Sequence, residues 1–286
     1  MLVFKAMVKK LSKQKVFGIS LLLTAQCIFA INFSIIKYLT SFYSVYQIMF
    51  FRFFLGTILL APFVLKNPIF KPRYNHFMLI RSIFGFFAMV CVFFGFKYGD
   101  PGQVTLIFYC SILWASIIAR YVYKERPHIV SIIALVAAFC GLFLILRPDL
   151  APLNKGALFG LAGSLFNIGV ILSLKKCRQY FSSTTIVFVF CFLGCIFAIP
   201  ISSVYLLGIA SLKWILLIGL LSTLAQYLFS KGYKYCYASV SASTGIITIA
   251  LMYISGFLFF GETLSVSAIV GVIIVLSSIG LITRFQ

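Results

Sequence analysis

Ten apolar runs, each long enough to cross a lipid bilayer, dominate this sequence of 286 residues. They cover approximately residues 16–38, 45–65, 77–97, 102–121, 129–146, 156–174, 184–206, 214–232, 238–260 and 265–283. A helix rises about 1.5 Å per residue, so about 20 apolar residues span the hydrocarbon core. The links between the runs are short and leave no room for a soluble domain. The sequence therefore predicts an all-α integral membrane protein with ten transmembrane helices.

The composition supports the same environment. Only 10% of the residues are charged and 63% are hydrophobic, whereas a soluble domain carries about 25% charged residues. The net charge of +20 does not indicate nucleic acid, because the basic residues form no stripe and lie mostly between the apolar runs. The eight cysteines form no C-x-x-C motif and no cluster with histidine. We therefore expect a lipid bilayer as partner, no nucleic acid, no disulfide, no metal and no cofactor.

The distribution of Lys and Arg predicts the orientation in the membrane. If the N-terminus is cytoplasmic, seventeen of these residues lie on its side and five on the other. The remaining two, Arg52 and Arg81, fall inside spans. Positive residues accumulate on the cytoplasmic side of membrane proteins, so both termini should be cytoplasmic. The basic N-terminus resembles a signal peptide, but its apolar run is too long, and we expect a retained first helix.

The chain also contains an internal repeat, because the sequence pattern of residues 95–146 recurs 137 residues later at 232–283. Four pairs carry the match: Gly95 with Gly232, Lys97 with Lys234, Tyr98 with Tyr235 and Glu125 with Glu262. The earlier parts pair with an offset of 138, as in Gly18 with Gly156. We place the two repeats at residues 1–148 and 149–286. Each holds five spans, an odd number, so the second must be inverted relative to the first. Inverted repeats typically enclose a substrate site near the midplane.

The two arginines inside spans are the first candidate site residues. A charge at the bilayer centre costs about 2.5–3.5 kcal/mol on insertion scales, so its presence favours a functional role. Arg52 lies roughly 10 Å into the second span and could bind a substrate carboxylate or phosphate. Alternatively, it ties helices together through backbone carbonyls. Arg81 lies nearer the cytoplasmic face, where its side chain can reach the headgroups, and we expect it to have a gating or structural role.

The other candidates are uncharged polar, aromatic and acidic residues. Polar side chains expected either to line the substrate site or to bond neighbouring helices are Asn32, Gln26, Asn167 and Gln226. Aromatic residues that could stack on a flat or cationic ligand, or simply pack, are Trp114, Tyr109, Tyr227 and Tyr253. Glu125 and Glu262 lie at helix ends, where they gate the path or bond a nearby loop or a basic neighbour such as Arg126. No acidic residue lies deep in a span, so exchange or facilitated diffusion fits better than tight proton coupling.

Short motifs, taken in order, give the chain a resemblance to a known family. They are Asn32-Phe33 before Lys37, Phe51-Arg52-Phe53, Arg81-x-x-x-Gly85, Lys124-Glu125-Arg126, the run from Gly141 to Pro148, and Gly261-Glu262-Thr263-Leu264. With the five-plus-five spans, this pattern resembles the EamA-type transporters of the drug/metabolite transporter superfamily. The chain departs from the family at Ser111 and Thr248, where members often carry proline. The departure puts in doubt a kink in helices 4 and 9.

The resemblance implies a small-molecule carrier of the bacterial inner membrane, working by alternating access. Its substrates would be amino acids, nucleoside derivatives or metabolites such as S-adenosylmethionine. We expect uptake or exchange, with export of amino acids, metabolites or drugs as the alternative. An intramembrane enzyme would need a metal pair, paired carboxylates or a Ser/His set, and no catalytic residue is identified. A channel or scaffold would differ from a carrier in lacking saturable counterflow. Both a monomer and a homodimer are compatible with the sequence.

Overall fold

The computed structural model describes residues 13–39, 42–64, 73–99, 101–147, 154–199, 209–260 and 265–285. Within these ranges the regular secondary structure is entirely helical. The helices are α1 (Lys13–Leu39), α2 (Val45–Val64), α3 (Asn75–Tyr98), α4 (Pro101–Val122), α5 (Ile129–Leu146), α6 (Lys155–Tyr180), α7 (Ser183–Ala198), α8 (Ile209–Gly232), α9 (Ala238–Ser243), α10 (Gly245–Phe260) and α11 (Val266–Arg284).

The helices follow the ten apolar runs and confirm the predicted membrane fold. In the described part of the chain, nine spans are long and apolar enough to cross a membrane, with α9 and α10 forming one of them. The tenth apolar helix is α7, which has 16 residues. The rest of its predicted run, from residue 200 onward, lies outside the described residues.

Side-chain caps fix where several helices begin. Asn154, Ser182 and Ser265 each accept a hydrogen bond from the backbone N–H three residues later, at distances of 2.9, 3.1 and 3.3 Å. Such a cap satisfies one of the N–H groups that have no intrahelical partner. The polar links between the apolar runs therefore contain the start signals of α6, α7 and α11.

The two halves pack mainly against each other. The contact of α3 with α6 and that of α1 with α8 interchange when the halves are exchanged. The contacts of α2 with α7 and of α5 with α11 each map onto themselves. The contact of α4 with α6 corresponds to that of α1 with α10, since α9 and α10 together form the counterpart of α4. The packing of the described helices is therefore symmetric under exchange of the halves, as expected for two repeats.

Two glycine contacts show this symmetry at the level of single residues. A Cβ at Gly156 would lie 2.8 Å from the carbonyl oxygen of Gly95, and a Cβ at Gly232 would lie 3.1 Å from that of Gly18. Exchange of the halves converts one contact into the other, because Gly18 pairs with Gly156 and Gly95 with Gly232 in the sequence repeat. Small residues allow helix backbones to approach closely in membranes. The repeated glycines thus hold α3 against α6 and α1 against α8.

The ninth span is interrupted at Thr244, between α9 and α10. Two hydroxyl groups bond back to the preceding turn at 2.7 Å, from Ser243 to the carbonyl of Ser239 and from Thr244 to that of Ser241. Bonds of this kind compete with the helical ladder and bend helices. Gly245, a poor helix former, follows directly. The run of Ser and Thr therefore explains why this span is divided whereas α4, its counterpart, is continuous.

Candidate functional site

Arg81 lies on α3 between the two halves and is 5% exposed. Its Nη2 donates a hydrogen bond to Oε1 of Gln226 on α8 over 3.2 Å. Its guanidinium carbon lies 4.2 Å from the centre of the Phe190 ring on α7. Its Nε and Nη1 atoms are buried and have no hydrogen-bond partner. Arg81 is therefore held by the second half, while part of its charged fork is left without an acceptor.

Helix α8 presents a second polar contact one turn away. Ser222 and Gln226 are four residues apart and so lie on the same helix face. The Nδ2 of Asn32, a fully buried residue on α1, donates to the Ser222 hydroxyl over 2.8 Å. The Oδ1 of Asn32 has no partner. This face of α8 therefore bonds one polar residue of α1 and one of α3.

Arg52 on α2 is the second buried arginine, at 7% exposure. It is the eighth residue of α2, a helix that packs on α7 and α8. The helices of Arg52 and Arg81, α2 and α3, both pack against α7. Neither group has a carboxylate partner among the described residues. The structure therefore buries two cations on helices that pack against α7, with no carboxylate of the described residues to balance them.

The unsatisfied atoms of this polar cluster, which we define as Asn32, Arg52, Arg81, Ser222 and Gln226, have a definite chemical pattern. A buried polar group without a partner costs about 1–3 kcal/mol, and a charged one costs more. Arg81 lacks acceptors, whereas Asn32 lacks a donor. An anionic group would satisfy the first, and an N–H or O–H group the second. The cluster is thus chemically suited to a small ligand that carries both.

Two further polar links cross between the halves, and they are equivalent in the repeat. The Thr248 hydroxyl donates to Oε1 of Gln26 over 2.6 Å, and the Gln26 Nε2 donates to the Thr244 hydroxyl over 3.3 Å. The equivalent link joins α6 to α4, where the Nδ2 of Asn167 donates to the Ser111 hydroxyl over 2.7 Å. Ser111 and Thr248 are 137 residues apart and occupy equivalent positions in the repeat. The two positions that lack the family's proline therefore bond an amide side chain of the neighbouring helix.

The aromatic candidates are dispersed. Trp114 is 58% exposed on the outside of α4, where lipid surrounds the protein. Tyr109 packs against the apolar core formed by α4, α5 and α9 to α11. The hydroxyl of Tyr253 accepts a hydrogen bond from the backbone N–H of Ser265 at the start of α11. Tyr227 lies beside a basic surface cavity, with Lys231 5.6 Å from its ring centre. None of these four bonds the described members of the polar cluster.

Glu125 follows the end of α4 and joins the two halves at the end of the bundle where α1 begins. Its carboxylate accepts hydrogen bonds from the backbone N–H of Ala238 at 2.6 Å and of Ser239 at 3.3 Å. The Ser239 hydroxyl adds a third at 3.1 Å. An acidic group is favoured at a helix N-terminus by the helix dipole. Nearby, Lys175 on α6 donates to the carbonyl of Cys236, two residues before α9 begins.

These contacts define an acid clasp, made of Glu125 and the start of α9. Tyr123, just before it, donates its hydroxyl to the carbonyl of Leu172 over 2.6 Å. Burial raises the pKa of Tyr123 to about 12, so this hydroxyl stays protonated. The described bonds of Glu125 go to the first residues of α9 rather than to a neighbouring loop or to Arg126. Its sequence counterpart, Glu262, lies outside the described residues, and its role remains a prediction.

A family model matches this chain twice, at residues 16–147 and 154–284, and its description is the EamA-like transporter family. The chain belongs to the EamA-like transporter family. The two matches correspond to the two sets of five spans. The family confirms the resemblance that the sequence motifs indicate and makes this chain a multi-pass membrane transporter of small molecules.

Curated relatives of this EamA-like transporter include an uncharacterized transporter of Helicobacter pylori, 24% identical over 92% of this chain and 93% of the relative. The pseudopaline exporter CntI of Pseudomonas aeruginosa is 24% identical over 92% of this chain and 95% of its own. The S-adenosylmethionine uptake transporter of Rickettsia conorii is 24% identical over 86% of this chain and 85% of the relative. A solved crystal structure matches with a TM-score of 0.75 at 15% identity, covering 95% of this chain and 98% of the other. This last likeness concerns the fold alone.

The sequence of this EamA-like transporter did not identify Ser222 of the polar cluster, the ring beside Arg81, or the partner of Glu125. Ser222 could have been found, because it lies four residues before Gln226 and therefore shares its helix face. Phe190 had no distinguishing signal among 33 phenylalanines. The partner of Glu125 lies 113 residues further along the chain, and no local pattern connects the two. The helices that carry these residues were predicted, whereas their contacts depend on tertiary packing.

Proposed function

We propose that this protein is an inner-membrane carrier for a small metabolite that bears a carboxylate, of the amino-acid or S-adenosylmethionine type. The carrier works by alternating access, with both termini in the cytoplasm. The observation that supports the proposal most directly is the pair of buried arginines, Arg52 and Arg81, with N–H donors of Arg81 unsatisfied between the halves. A planar guanidinium matches the geometry of a carboxylate.

The unsatisfied Oδ1 of Asn32 narrows the range of candidate substrates further. An α-amino-acid group offers a carboxylate to the arginines and an ammonium group as donor to Asn32. A plain nucleoside offers hydroxyl donors but no anion. This chemistry favours amino acids and S-adenosyl compounds over uncharged nucleosides. It also agrees with relatives named for S-adenosylmethionine uptake without fixing the substrate.

The first experiment is a thermal-shift screen of the purified protein in neutral detergent. The decisive pair is S-adenosylmethionine against 5′-methylthioadenosine, which retains the adenosine and the sulfur but lacks the amino-acid group. Free amino acids and nucleosides extend the same comparison. We expect stabilisation by compounds that carry the carboxylate and none by their matched counterparts. Equal stabilisation by both members of each pair would refute a carboxylate site.

The second experiment measures counterflow of the selected compound in proteoliposomes. Replacing Arg52 with Ala should lower its uptake about 10- to 100-fold, because hydrogen bonds to charged groups contribute about 1.5–3 kcal/mol. The control is Arg120→Ala, which removes an exposed arginine from α4. Uptake at the normal rate by a well-folded Arg52→Ala protein would contradict the proposal. An uptake rate that does not saturate as the substrate concentration rises would indicate a pore instead.

Export is the second candidate for the direction of transport, and the relative named as a pseudopaline exporter favours it. We retain uptake or exchange as the primary proposal. The four acidic residues of the chain are Asp100, Glu125, Asp149 and Glu262, and all lie at helix ends or in links. Substrate movement in right-side-out and inverted vesicles separates the two directions. Exchange predicts that movement in either direction requires substrate on the opposite side.

A further inference from the structure

A basic cavity of about 420 Å³ opens at the end of the bundle where α1 begins. It lies between the α6–α7 connection and the end of α8, away from the polar cluster. The Phe17 ring of α1 meets the Tyr235 ring beside it at 5.6 Å. Arg178, Lys231 and Lys234 line the cavity, and none of the described residues that line it is acidic. Its charge therefore suits an anion.

Two unsatisfied groups mark one wall of this cavity. Ser183, the first residue of α7, is 5% exposed, and its hydroxyl has no hydrogen-bond partner. Arg178 donates through Nη1 to the carbonyl of Phe181, which fixes its side chain, but its buried Nε has no partner. A hydroxyl donor and a guanidinium donor are thus left unused at the same place.

The start of α7 contributes further donors. This helix has 16 residues and begins with Ser183 in the cavity wall. Its cap, Ser182, accepts from the N–H of Thr185, whereas the earlier N–H groups of a helix have no intrahelical acceptor. A helix N-terminus favours bound anions through these N–H groups and the helix dipole. Donors therefore converge from a helix end, a hydroxyl, an arginine and two lysines.

The geometry points to a phosphate-binding site in this cavity, separate from the substrate site and independent of the proposed transport function. A phosphate group has several acceptor oxygens and can bond the start of α7, Ser183 and Arg178 together. Lys231 and Lys234 supply the remaining positive charge. Basic pockets between transmembrane helices bind the headgroups of anionic lipids on the cytoplasmic side. The same chemistry would hold the phosphate of a soluble ester.

The test measures the thermal stability of the full-length protein in neutral detergent with two probes. One probe is phosphatidylglycerol, compared with phosphatidylcholine, and the other is inorganic phosphate, compared with chloride at equal ionic strength. The variants are Arg178→Gln and the double variant Lys231→Gln/Lys234→Gln. Arg120→Gln is the matched control, because it removes an exposed positive charge at the same end of the bundle but outside the cavity.

We expect one probe to stabilise the wild type and the control, and the cavity variants to need about tenfold more of it, as the loss of one charged hydrogen bond implies. Stabilisation by phosphatidylglycerol alone assigns the site to a lipid headgroup, and stabilisation by inorganic phosphate assigns it to a soluble phosphate. Failure of both probes on the wild type would overturn the proposal. So would an equal response of the cavity variants and the wild type. If Arg178→Gln does not fold, the double lysine variant decides the outcome.

Discussion

Gly85 lies one turn after Arg81 on α3, and its missing side chain makes room for the guanidinium. A Cβ at this position would lie 2.6 Å from Nη1 of Arg81 and 2.9 Å from the edge of the Phe190 ring. We predict that Gly85→Ala displaces the guanidinium and lowers transport about tenfold or more, since one lost charged hydrogen bond accounts for that factor. Counterflow in proteoliposomes checks the rate. The clash involves the ends of two side chains, so the protein should still fold.

The control for this substitution is Gly280→Ala on α11, where a Cβ would meet no atom within 4 Å. Both changes replace a helical glycine and gain up to about 1 kcal/mol of helix propensity. Only Gly85→Ala should lose transport. If both variants transport at the wild-type rate while both are folded, the position of the Arg81 guanidinium is not important for the substrate.

The acid clasp connects whole helices. Glu125 caps the start of α9 and thereby joins the end of α4 to the second half. We predict that Glu125→Gln lowers the free energy of unfolding by about 1–3 kcal/mol. The amide keeps the size of the carboxylate but replaces one acceptor oxygen with an NH₂ group that faces backbone N–H donors. Thermal unfolding in detergent, followed by tryptophan fluorescence or light scattering, measures the change.

Arg126→Gln is the control for the clasp, since Arg126 is the exposed neighbour of Glu125 in the same link. It should leave the stability within about 0.5 kcal/mol of the wild type, as surface substitutions usually do. Equal destabilisation by both changes would mean that the charge of the link matters, rather than the hydrogen bonds to α9.

The helices could be predicted from the sequence because a membrane span needs only length and apolar content. Helix α5 has the bounds of its predicted run, 129–146, and α3 extends its run by two residues at the start and one at the end. The inward face of a helix could not be predicted. Spans that are apolar all round carry little amphipathic signal, so nothing in the sequence placed Trp114 on the lipid side. The charge of Arg52 and Arg81 marked both as special positions in a bilayer. The side chain of Arg81, which we expected to reach the headgroups, is instead buried against Gln226 and Phe190.

The orientation of the halves is a property of the whole molecule, and it gives the last prediction. Lys97 and Lys234 occupy equivalent positions of the repeat, and both side chains are exposed. In a cysteine-free background, a cysteine at position 97 should react with a membrane-impermeant maleimide only from outside the cell. A cysteine at position 234 should react only after the cytoplasmic side is made accessible, because an inverted second half places equivalent residues on opposite sides.

Two further exposed positions make the labelling independent of which half carries the cysteine. Arg120 belongs to the first half and should be reached from the cytoplasm, whereas Lys213 belongs to the second and should be reached from outside, as the alternation of the spans requires. Labelling of positions 97 and 234 from the same side would contradict the inverted arrangement. Reversal of all four results would keep the inversion but refute the cytoplasmic termini, which rest on the positive-inside bias of seventeen basic residues against five.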